Sequence, residues 1–172
     1  MDIQLKSGDV FATKNPQSLG KIITFFEAMR DESKTAEYSH SGIILDYQGT
    51  TFEAVWHIER QNLFKDYKGS KVIIARWTGM TIQSFNLGFS MVKGEEGMTY
   101  PYYRLFLHLI GLASFIHLGS NTVCSELADK FLINAGAVMM EGKNWWGRTP
   151  QELVDEWNIS KYFTIVFEGI IN

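Results

Sequence analysis

The sequence predicts an α+β domain in which a small antiparallel sheet packs against helices. Three observations lead there. Several stretches repeat apolar residues at helical spacing, short β-branched and aromatic runs are joined by turn residues, and the two kinds of element are partly segregated along the chain. With 172 residues, of which 45% are hydrophobic and 14% aromatic, the chain buries a substantial core. Three prolines, no repeat and no Gly/Ser linker mark no internal boundary, so one domain over 1–172 is expected.

In chain order, "GDVFAT" reads as a short first strand. From Leu19 the apolar residues Ile22, Ile23, Phe26 and Met29 mark a helix starting near Pro16, a residue suited to a first turn. "YSHSGIILDY" and "TFEAVWHI", separated by "QGT", read as an antiparallel hairpin, and "KVIIARW" as a third strand continuing a meander. "TIQSFNLGFSMVKG" returns to helical spacing through Ile82, Phe85, Phe89 and Val92, and an apolar helix follows near 102–117. A helix at about 122–135 has Asn121 or Thr122 as cap, Glu126 four before Lys130, and Gly136 as stop. "TPQEL" carries a capping signature, Thr149 three before Glu152 with Pro150 between, and opens a short helix toward Trp157. "YFTIVFEG" closes the chain as a strand.

A net charge of −3 and a pI near 5.8, without a basic run interleaved with aromatics, argue against a nucleic-acid partner. "MDIQLKSGDVFATKN" lacks the basic start, apolar core and cleavage site of a secretory signal. The most apolar stretch, 105–119, falls short of the ~20 residues that span a bilayer. The expectation is a protein with no integral membrane segment, either cytoplasmic or phage-encoded and delivered without a signal.

The single cysteine, Cys124, excludes an internal disulfide and a thiolate-rich zinc site. It stands in the first turn of its expected helix, where free backbone amides and the macrodipole favour a thiolate; the alternative is a small buried hydrophobe. A nucleophilic thiol needs a base. His108 and His117 fall in the apolar stretch and read as packing residues, whereas His40 lies on a strand among Ser39, Ser41 and Gly42, which leave room for a substrate. Tyr38, His40, Gly42 and Ile44 share one strand face. A base needs an orienting partner. A hairpin turning about Tyr47 and Gln48 sets His40 opposite Val55, with Glu53 and His57 as diagonal neighbours, and this geometry alone leaves both open.

Taken together, "GDVF", "YSHSGIIL", "FEAV", "GMTYPY" and "NTVCSELADKFLINAG", with "TPQEL" after them, resemble the circularly permuted NlpC-type papain-like hydrolases of the YiiX-like group. The resemblance runs from about residue 7 to 155, and its most specific element is the order, histidine before cysteine. It implies a papain-like core, with a small antiparallel sheet or half-barrel packed on the nucleophile helix, and a Cys-His-polar triad. Cys124 is then the nucleophile, His40 the base and Glu53 the orienting residue. Tyr38, two before the histidine on the same strand face, is placed to lend its hydroxyl to the oxyanion.

The implied reaction is acyl transfer at an amide or ester through an acyl-enzyme, with no metal or organic cofactor. Peptides or peptidoglycan fragments are the substrates the NlpC-type relatives suggest; acyl lipids are those of the related lecithin retinol acyltransferase group. The stretch 105–119 departs from the pattern as a lid, an acyl-chain surface or core, and the adjacent Trp145 and Trp146 are candidates to line a groove. Two rival readings are a non-catalytic binding or structural module and a metal-dependent hydrolase using His40, His57 and Glu53, which lacks a helical motif such as HExxH.

Overall fold

The run Val10–Thr13 (β1) lies inside a six-stranded, wholly antiparallel sheet, flanked by His40–Ile44 (β2) on one side and Lys71–Trp77 (β5) on the other. The computed structural model describes residues 3–14, 37–99, 124–137 and 148–172. Beyond β2 come Thr50–Ala54 (β3) and Ile58–Asn62 (β4), and beyond β5 comes Phe163–Ile170 (β6), giving the order β4-β3-β2-β1-β5-β6. Four helices are described: the single turn Leu63–Asp66 (α1), Ile82–Lys93 (α2), Cys124–Asn134 (α3) and Pro150–Ile159 (α4). The α+β class and the small antiparallel sheet expected from the sequence are what the chain forms.

Both faces of the sheet are covered. Val10, Ala12, Ile43, Phe52, Ile73 and Ala75 meet Leu127, Phe131, Leu153 and Trp157 of α3 and α4. On the other face, Phe11, Ile44, Val72 and Ile74 pack with Leu63 and Tyr67 from α1 and the residue after it. Each of these large side chains, fully buried, contributes roughly 1.5–3 kcal/mol. Gly88 lets α2 approach α3 closely, because a Cβ there would meet the backbone oxygen of Phe131. Gly136, at φ +94, ends α3 in the left-handed conformation that favours glycine. The capping box of α4 forms as the sequence expects: Glu152 N–H donates to Thr149 Oγ1 at 3.2 Å, and Thr149 N–H donates to Glu152 Oε2 at 2.8 Å.

The expected hairpin register is also present, with Gly42 opposite Glu53 and Ile43 opposite Phe52. Three expectations are corrected. The run 51–58 is two strands, broken after Ala54 by a tight reversal in which Val55 N–H donates to the His57 carbonyl at 3.0 Å. "KVIIARW" does not extend the meander; β5 pairs with β1 across the sheet. Lys130 pairs with Glu95, after α2, rather than with Glu126, which is fully buried. The expected helices at 19–29 and 102–117, the caps Asn121 and Thr122, His108, His117, Trp145 and Trp146 lie outside the described residues. No described helix is long and apolar enough to cross a membrane.

Candidate active site

Strand alternation places His40 and Gly42 of β2 on one face with Thr51 and Glu53 of β3. The hairpin thereby brings a base and a carboxylate together: His40 Nε2–H donates to Glu53 Oε2 at 2.7 Å. Glu53 is fully buried, a costly position for a carboxylate unless donors surround it. Thr51 Oγ1–H donates to its Oε1 and Tyr67 O–H to its Oε2. The Tyr67 ring also stacks on the imidazole, with centroids 6.0 Å apart and planes 20° from parallel. Burial, then the Glu53 charge, push the Tyr67 hydroxyl far above its ordinary range, so it remains a donor.

Cys124 completes the cluster. The first residue of α3 in the described chain, it is 3% exposed, and its side chain hydrogen-bonds to His40. Burial pulls the imidazole pKa down, but the hydrogen bonds to Cys124 and Glu53 and the charges of both outweigh it, raising His40 from 6.5 to about 10. With Nε2 engaged by Glu53, the other ring nitrogen is the one left for the sulfur. The helix start is fixed from below: Ser125 Oγ–H donates to the Arg148 carbonyl at 2.5 Å, while the Arg148 guanidinium reaches Asp129 of α3 at 3.2 Å and Glu156 of α4.

Of the residues singled out in the sequence, Cys124, His40 and Glu53 meet, and two others do not join them. His57 is exposed in the β3–β4 reversal and bridges to Thr99. The Tyr38 hydroxyl donates to Glu168 on β6 at 3.3 Å, under the Lys71 ammonium 5.7 Å from its ring; burial, then Glu168, push its pKa up to about 12. Tyr38 precedes β2, which begins at His40, so the strand alternation that put both on one face does not extend to it. Nor is the space over Gly42 left for a substrate. A Cβ there would lie 2.7 Å from the Phe11 ring, so that ring already fills it. Thr51 was recoverable from the sequence as the residue two before Glu53 on the same strand face; nothing in "KDYKGS" marked Tyr67.

Among the described residues no group of three or more His, Cys, Asp and Glu side chains is arranged to hold a metal ion. No protein-family model matches the sequence, and a search of curated proteins finds no significant match. A search of solved structures does: the chain superposes on the crystal structure of the metalloprotein YiiX (DUF1105) from Escherichia coli O157:H7 with a TM-score of 0.63, covering 97% of this chain and 99% of that one at 16% identity. The fold is YiiX-like. At this identity the likeness concerns the path of the chain, and the chemistry is argued from the side chains present here.

Proposed function

We propose that the protein is a cysteine hydrolase of the permuted, NlpC-type papain-like kind, cleaving an amide or ester through an acyl-enzyme. One observation carries this reading: a buried imidazole hydrogen-bonded to both a carboxylate and the side chain of the only cysteine. The imidazole beside it offers the sulfur a hydrogen-bond partner and a base. In the proposed sequence His40 takes the thiol proton and the Cys124 sulfur attacks the substrate carbonyl. His40 then returns the proton to the leaving amine or alcohol, and water, deprotonated by His40, releases the acid. Glu53 fixes the tautomer and orientation of the ring, and Thr51 and Tyr67 fix Glu53.

The structural neighbour is described as a metalloprotein, but the donor set here does not support a metal reading. His40 is engaged by Glu53 and the thiol, His57 stands apart, and no step above is routed through a metal.

Because the sulfur is nearly enclosed, the test uses a small electrophile. Iodoacetamide alkylates Cys124 in the native protein well below pH 8.5, the ordinary thiol pKa, read by intact mass. A thiol inert until denaturant is added overturns the reading. A panel of peptidoglycan-stem amides and fatty-acyl esters, with Cys124→Ala as blank, then assigns the substrate class; turnover that survives Cys124→Ala but not a chelator points to metal chemistry instead.

A further inference from the structure

Away from the thiol, β5, the loop after it and the first turn of α2 wall a cavity of about 610 Å³, inside the ~300–1,000 Å³ range of small-molecule sites. Neither Cys124 nor His40 lines it. We propose that this cavity binds a small organic monoanion with an apolar, ring-sized body, its charge held by Lys6 and Arg76 and its body lying against Trp77 and Phe85. The inference is independent of the acyl chemistry at Cys124.

The apolar wall is built to stay open. Phe85 stacks on Phe89 at 5.6 Å and meets Phe131 edge-on at 5.9 Å, so its ring is held from behind. The Trp77 ring is seated over Gly79, where a Cβ would leave no room for it. Ile82, at the cavity lining, is 84% exposed, a large apolar side chain in water where an occupant would cover it.

The lining also carries two cations, Lys6 and Arg76. Arg76 grips Asp9 through Nε at 2.7 Å and Nη2 at 2.8 Å, and donates from Nη2 to the Gln4 carbonyl at 2.7 Å. Its Nη1 has no partner among the described residues, nor has the Lys6 ammonium. Asp9, 1% exposed, offsets one of the two cations, so a single positive charge is left. That balance suits one negative charge such as a carboxylate, and Trp77 and Phe85 supply the faces on which a flat body packs.

The test is calorimetric titration of the full chain with 2-naphthoate and, separately, with its neutral counterpart 2-naphthalenemethanol. Naphthoate binds saturably, one to one, and the alcohol binds about tenfold more weakly. Lys6→Glu and Ile82→Glu, both at exposed positions, each weaken naphthoate about tenfold with the circular-dichroism melt unchanged. Cys124→Ala binds like the parent. Equal affinity for the alcohol, full affinity in both cavity variants, loss of binding in Cys124→Ala, or no saturable heat overturns the proposal.

Discussion

Two buried charge networks meet at helix α3 and are built in opposite ways. Around Glu53, one carboxylate gathers three donors, from Thr51, Tyr67 and His40, and the imidazole still has a nitrogen to offer the thiol. Around Arg148, one guanidinium is divided between Asp129 and Glu156, and its Nε has no partner among the described residues. The first network passes its order outward to the side chain of Cys124. The second is consumed between two helices, and its work is to hold α3 against α4. A buried charge can thus either aim a neighbouring side chain or join two elements, and its partners decide which.

The comparison is broken most severely by Glu53→Gln. It removes the charge that orients the imidazole and is expected to lower kcat by up to about 10⁴-fold in an acyl-hydrolysis assay, while the fold, followed by circular dichroism, survives. Arg148→Ala should do the reverse. It leaves two buried carboxylates without their cation and costs about 3–5 kcal/mol in urea unfolding. Tyr67→Phe removes one of the donors to Glu53, for about 1–3 kcal/mol; as a positioning residue it should also move the pH midpoint of Cys124 alkylation, which a purely structural role would leave in place.

The finest test is the slope of stability with pH, at most about 1.4 kcal/mol per unit for one group. His40 is raised from 6.5 to about 10, so the folded state keeps a proton that the unfolded chain gives up. Its contribution is complete below pH 6.5 and is lost as pH climbs through about 10. Asp129 is raised from 3.8 to about 7, by burial first, with Arg148 opposing and Glu156 adding. Its contribution is complete below pH 3.8 and gone above about 7. Urea midpoints across pH 4 to 10 should fall through both windows; Asp129→Asn should flatten the lower window and leave the upper one.

The hairpin that carries His40 and Glu53 was legible because turn residues and alternation fix the register together, and a register slip would have turned Glu53 to the other face. The α4 start was legible because a capping box is a local signal. The break at 55–57 was not, since Val55, Trp56 and His57 include no glycine or proline, and so His57 stood as a rival to Glu53. Tyr67 and Arg148 were hidden because their contacts cross between elements, whose placement no local pattern encodes. The pairing of β5 with β1 was hidden for a related reason: with both faces of the sheet buried, β1 and the middle of β5 read as continuous apolar runs that suit many neighbours.

The chain distances within the Glu53 network have a further consequence. His40 and Glu53 are 13 residues apart and belong to one hairpin, a unit that closes on the order of microseconds. The sulfur arrives from far downstream and reaches the imidazole only once α3 has docked on the sheet. During synthesis the emerging protein therefore carries the imidazole–carboxylate pair before the cysteine has been added, and the thiol meets the ring only when two distant parts of the chain come together.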